Sequence, residues 1–397
     1  MPQPMPQPMA LAKGVRITGG AFCLLFFLFT AYWLAVDLSE FGIDGLWDAW
    51  TGQRAGTNQV TTAFHLGLAA VQVAAVFAAF AGQRVAGGLL AVATTLTFAT
   101  ALQAFIATGI HTSDNRWFLH AENGTTTFDG VFIGSAFLLL LSFTAGIVLL
   151  AGMRSWPRRP PSDPPMRPAR TAGVVAGLLL GVMALVCLVW QVYWLVQGGT
   201  GSLSMYYLGK GVLSALLSLA PGWSSVVFLV LSAVAALSSL LCGAAARGLA
   251  FGLAIVTLPG ALVTVIALAG DGSLFETRST PGLTVLSDIG LLLDLLGSAA
   301  LLVLMGRGEP VAPAWYPPSP GPRFAAPGFV PPPGPQAPPA WQPPAGPVPP
   351  VSGPPMPPAG APPMPPGGAP PMPPGGAPPM PPGAPQPPQG GFGPPQY

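Results

Sequence analysis

Asp294 stands in the run GLLLDLLG, where apolar residues flank a carboxylate on both sides. Holding its charge in lipid costs roughly 2.5–3.5 kcal/mol on the insertion scale, so such a carboxylate faces a cavity or a partner and is a candidate proton or ion site. No Lys or Arg falls at its depth, and Gln72, Gln103, Gln191 and Tyr193 are its candidate hydrogen-bond partners. Histidines form the next group able to do chemistry. His65 and His111 fall at the outer ends of two successive apolar runs, with His120 in the loop that follows. Imidazoles brought to one depth by an antiparallel hairpin can hold haem or a metal. The second half of the chain has no histidine to complete a paired site, so interfacial hydrogen bonding is the expected role, with no metal or cofactor.

Asp114, Arg116, His120 and Glu122 share one loop and read as solvated side chains. The sequence lacks a phosphate-cradling glycine loop, a zinc-ligand cluster of the zincin kind and a GxSxG nucleophile elbow. No catalytic residue is assigned, and an enzyme is not the expectation. Cys23, Cys187 and Cys242 all lie inside apolar runs, so no disulfide framework is expected.

The segments that carry these residues are made for lipid. Hydrophobic residues are 51% of the chain and charged ones 7%, against about 25% charged in a water-soluble domain. A net charge of +2 gives no basis for nucleic-acid binding. A helix needs about 20 predominantly apolar residues to cross the hydrocarbon core. Eight stretches qualify, at 16–36, 61–81, 86–110, 130–152, 171–196, 223–244, 248–270 and 287–306, which predicts an all-α integral membrane protein with eight transmembrane helices. The first run ends in YWLAVDLSE without a small-residue cleavage pattern and reads as a retained anchor.

Basic residues set the orientation. Lys13, Arg16, Arg84, Arg154, Arg158, Arg159, Arg167, Arg170, Arg247, Arg307 and Arg323 fall on one side, and Arg54, Arg116, Lys210 and Arg278 on the other. Both termini are therefore expected in the cytoplasm, with the chain multi-pass in a bacterial cytoplasmic membrane. Five arginines in the inner loop from Arg154 to Arg170 predict contact with anionic lipid headgroups.

The two halves follow one plan, which predicts a duplicated four-helix unit. Residues 14–154 and 171–307 are the units, 1–13 a disordered N-terminal segment and 155–170 a basic linker. The first span of each half ends in YWL, at Tyr32 to Leu34 and Tyr193 to Leu195, and RVAGGLLAVAT from Arg84 aligns with RGLAFGLAIVT from Arg247. Two four-span units insert with the same orientation, so their pseudo-twofold axis would run along the membrane normal. Aromatic stretches from Glu40 and from Leu203 predict short interfacial helices on the outer face.

Gly173, Gly177 and Gly181 in the fifth span, and Gly248 and Gly252 in the seventh, form small-xxx-small steps that predict close helix packing. Pro259 and Gly260 interrupt the seventh span and predict a kink. From Gly308 the chain holds 39 of its 52 prolines, including the repeat PPMPPAGA, PPMPPGGA, PPMPPGGA, PPMPPGA from Pro354 to Ala384. Such a sequence cannot bury a core and predicts a disordered tail over 308–397, with PxxP spacing suited to a cytoplasmic protein partner. The general pattern resembles actinobacterial multi-span proteins with proline-rich cytoplasmic tails, and the use of only Lys13 and Lys210 as lysines matches the coding bias of a high-GC genome. The resulting expectation is a non-enzymatic membrane anchor or scaffold that presents the tail. A small-solute or ion transporter using the interface between the halves, with Asp294 and the Pro259 kink as working parts, is the alternative.

Overall fold

The computed structural model describes residues 9–53, 59–109, 126–155, 166–199, 203–210, 213–275, 281–306 and 308–310. Among them are nine helices: α1 (Lys13–Thr51), α2 (Phe64–Phe80), α3 (Ala86–Gly109), α4 (Thr126–Ala151), α5 (Arg170–Gly198), α6 (Leu203–Leu208), α7 (Pro221–Leu240), α8 (Ala246–Gly270) and α9 (Pro281–Gly306). Seven of these are long and apolar enough to cross a bilayer. The helix α2 is shorter, 17 residues or roughly 26 Å, and packs against α1, α3 and α8. Its apolar residues meet protein more than lipid. Elsewhere large apolar side chains stand outward, with Phe137 65%, Leu178 61% and Val303 78% exposed, more than a water-facing surface tolerates. The chain is a helical multi-pass membrane protein.

Helix contacts follow one order in each half. The first helix packs on the second and the third on the fourth, as α1 on α2 and α3 on α4, then α5 on α7 and α8 on α9. The turns that follow α2 and α7 are built the same way. Gln83 donates its N–H to Ala78 O at 2.8 Å and Gly82 to Ala79 O at 3.4 Å, while Gly243 donates to Ser238 O at 2.8 Å and Cys242 to Ser239 O at 3.0 Å. This is the Schellman pattern, which needs a left-handed residue just past the helix end. Gly82 supplies it at φ 73° and Cys242 at φ 50°. The turns therefore match Gly82 with Cys242 and Ala86 with Ala246. Arg84 lies in its turn while Arg247 lies inside α8, so the register that pairs the two arginines is displaced by three residues.

Two ladders tie the ends of each half together. β1 (Met9–Leu11) pairs antiparallel with β2 (Met153–Ser155), and β3 (Met166–Pro168) with β4 (Gly308–Pro310). In each half the residues before the first helix thus clasp those after the last. Strands of three residues carry no readable alternation, and the sequence reading placed their residues partly in a disordered N-terminus and a linker.

Of the two aromatic segments, the one from Glu40 lies on α1 and the one from Leu203 is helical over Leu203–Leu208. α1 breaks at Gly42 (φ 69°, ψ −178°) and continues as a short helix to Thr51. α6 carries Tyr206, stacked on Trp194 at 5.2 Å, and Tyr207, whose hydroxyl donates to Gln191 Oε1 at 2.5 Å.

Candidate functional site

The two halves meet where α2 and α3 pack on α8, with α7 alongside α3. Glycine makes this seam close. A Cβ on Gly88 would strike the backbone of Gly248 and one on Gly67 the backbone of Val256, so main chains touch where side chains are missing. Gly88 and Gly248 occupy matching positions after the two matched turns, which places their contact on the line between the halves. Gly252 packs on Val92 of α3, 2.8 Å from where its Cβ would lie.

Towards the end away from the ladders, polar groups tie the seam. The buried Asp37 carboxylate accepts the backbone N–H of Val60 at 3.0 Å and of Thr61 at 2.7 Å, together with the Thr61 hydroxyl at 2.5 Å. The same segment reaches the second half, because Gln59 O and Val60 O accept from the N–H groups of Leu216 and Leu217 at 3.2 and 2.9 Å. Deeper along the seam, Trp223 Nε1 of α7 donates to Ala99 O of α3 at 3.1 Å, and Gln103 Nε2 donates to Leu208 O at 3.1 Å. These bonds cross between halves in places where apolar residues exclude water, and an unmade bond there is costly. Asp37 lies just past the first predicted span, 16–36, and sequence reading gives it no role. Its burial depends on residues 59–61 folding back over α1, which no local pattern reports.

The sequence-selected residues fall in different places. Asp294 is half-buried on α9. It shares a helix face with Gly290, near Val186, and Gly297, near Leu179, so it looks at α5 close to Cys187 and lies within the second half, away from the seam. Its candidate partners bond elsewhere. Gln72 donates to Thr97 Oγ1 at 2.9 Å, Gln103 to Leu208 O, and Gln191 to Gly222 O at 2.9 Å. His65 is buried at the start of α2, where its Nδ1 accepts the Thr62 N–H at 3.0 Å from the segment just ahead of the helix. His111 and His120, with Asp114, Arg116 and Glu122, lie outside the described residues, as do residues 311–397 of the tail. Among the described residues there is no cluster of three His, Cys, Asp or Glu side chains.

Gly173 and Gly177 pack on α7, with Ser239 O 2.8 Å and Leu240 Cγ 2.6 Å from their would-be Cβ atoms. Gly181 has nothing within 4 Å. Pro259 lies inside α8, which remains one helix from Ala246 to Gly270. Nearby, the Thr257 hydroxyl donates to Leu253 O at 2.9 Å and meets Ser298 Oγ of α9 at 2.5 Å. Gly260 has nothing within 4 Å.

At the ladder end Arg247, 8% exposed, donates from Nε to Met305 O at 3.0 Å and from Nη2 to Gly306 O at 3.1 Å. A cation on the last carbonyls of α9 satisfies groups that a helix end leaves open and opposes the helix dipole. No protein-family model matches this chain, and no curated protein or solved structure does either.

Proposed function

We propose that the chain is a non-enzymatic membrane anchor or scaffold whose helical body positions the proline-rich tail at the cytoplasmic face. The observation that carries this reading is how the root of the tail is held. Arg247 grips the last carbonyls of α9, and β4, the first residues of the proline-rich segment, pairs with β3. Such fastening suits a body that holds an interaction segment at a fixed point. The tail's PxxP spacing fits an aromatic groove on a cytoplasmic protein.

The same reading takes the chain as eight spans, α2 included, built from two duplicated four-helix units in a bacterial cytoplasmic membrane. Supporting it are the repeated contact order, the matched turns at Gly82 and Cys242, and one ladder per half. Lys13, Arg16, Arg84, Arg167, Arg170 and Arg247 lie at the ladder end of the bundle, the end that the positive-inside rule assigns to the cytoplasm.

A small-solute or ion transporter is the second reading, favoured by the carboxylate at Asp294. Against it, the seam between halves is shut by main-chain contact at Gly67 and Gly88, and Asp294 faces α5 instead. Deleting residues 308–397 separates the two readings. In-cell crosslinking and affinity purification of the full chain should recover a cytoplasmic protein that the truncated chain does not. Equal recovery of the same proteins by both chains would overturn the anchor reading.

A further inference from the structure

Threonine inside a spanning helix commonly returns its hydroxyl to the carbonyl four residues back, because lipid and packed apolar side chains offer no other acceptor. Thr30, Thr108, Thr144, Thr257 and Thr264 all do so, donating to Phe26 O, Ala104 O, Leu140 O, Leu253 O and Gly260 O. Thr100 of α3 does not. The residue is 2% exposed, and its hydroxyl meets no hydrogen-bond partner among the described residues. Three residues away on the same helix, Thr97 Oγ1 accepts from Gln72 Nε2 of α2 at 2.9 Å, while Gln72 Oε1 is likewise buried without a partner. Residues three apart are neighbours on a helix surface, about 5–6 Å between Cβ atoms, so Thr100 stands beside the bond that joins Gln72 to Thr97. Turning the amide over would exchange the atom left unbonded and would not supply it with a partner.

Two unbonded polar groups, one on each of two packed helices, complement a small molecule that both donates and accepts. We propose that one water molecule is bound here, bridging Gln72 Oε1 and Thr100 Oγ1. Two hydrogen bonds of about 2.8 Å let a single water join oxygens about 4.5–5.5 Å apart, which matches the spacing of neighbouring positions on α3. Ala69 and Ala75, three residues to either side of Gln72, are both buried, so short side chains flank the amide where a water needs room. Left dry, both groups would keep an unmet bond in a packed core, which is costly. The second half has no counterpart. At the positions matched through the two turns, Gly260 stands for Thr100, and Thr257 bonds its own backbone and meets Ser298. The water would fasten α2, the helix that carries Gly67 at the seam, to α3. It does not depend on what the tail binds.

The test uses the purified full chain in micelles of deuterated detergent, with carbon-bound protons kept only in threonine methyl groups, and reads magnetisation transfer from water by NMR. The methyl groups of Thr97 and Thr100 should receive it. That of Thr30 should not, because Thr30 is also 2% exposed but gives its hydroxyl to Phe26 O. Thr100→Val keeps the side-chain shape; it should remove the transfer to Thr97 and lower the unfolding temperature. A dry site predicts the reverse for stability, since replacing an unbonded buried hydroxyl by a methyl group relieves a cost and should raise that temperature. Transfer to wild-type Thr97 no greater than to Thr30 would overturn the site. So would a Thr100→Val chain that unfolds at or above the wild-type temperature.

Discussion

Asp37 and Thr61 are joined twice, the Asp37 carboxylate accepting both the backbone N–H and the hydroxyl of Thr61, and neither residue is exposed. Because the neighbouring carbonyls of Gln59 and Val60 hold Leu216 and Leu217, this pair fastens the two halves at the end away from the ladders. Asp37→Ala leaves the N–H groups of Val60 and Thr61 without an acceptor and should destabilise the fold by about 2–5 kcal/mol. Thr61→Val removes only the hydroxyl bond and should cost about 1 kcal/mol. Tryptophan-monitored thermal unfolding in detergent measures both. If Asp37→Ala unfolds at the wild-type temperature, the knot does not hold the halves.

Glycines that look alike in sequence should respond differently. Gly88→Ala and Gly248→Ala push a methyl group into backbone and should destabilise by about 1–3 kcal/mol. Gly181→Ala meets open space within the described structure and should be neutral or stabilise by roughly 0.5–1 kcal/mol. Measured unfolding temperatures that rank the three alike would contradict the close approach of α3 and α8.

Backbone conformation alone sets a third contrast. Gly42 has open space around it but adopts φ 69°, ψ −178°, a region almost confined to glycine. Gly42→Ala should cost about 1–3 kcal/mol and loosen the 43–51 helix, seen as faster amide exchange there. Cys242, by contrast, carries a side chain at the position Gly82 fills in the first half. Cys242→Gly should stabilise the turn after α7 by about 1 kcal/mol.

Arg247→Met keeps the apolar stem and removes the bonds to Met305 and Gly306. The last turn of α9 should then fray, and limited proteolysis should cut sooner near residues 306–310 than in wild type. An unchanged cleavage rate would mean that the β3–β4 ladder holds the root alone.

Asp294→Asn separates the two functional readings directly. A scaffold should keep its tail-dependent associations, and reconstituted vesicles should show the same proton flux before and after the change. Flux present in wild type and lost in Asp294→Asn would favour transport.

Helices were legible because lipid imposes a local rule. Each crossing segment must satisfy its own backbone, so long apolar runs such as 171–196 and 248–270 announce themselves one at a time. Gly173 and Gly177 were legible for a related reason, since small residues four apart mark a face that another backbone can approach. Asp294 stood out because a carboxylate among leucines is anomalous in composition, yet composition says nothing of direction. Only the packing of α9 on α5 shows that it looks away from the seam.

The sequence by itself determined the solvent, the long apolar helices and the proline-rich composition of the extension, because each follows from local composition. Tertiary structure alone decided that Asp37 is buried beneath residues 59–61 and that Gly88 meets Gly248. Those facts depend on which surfaces come together across many residues of intervening chain, and no single segment encodes its partner.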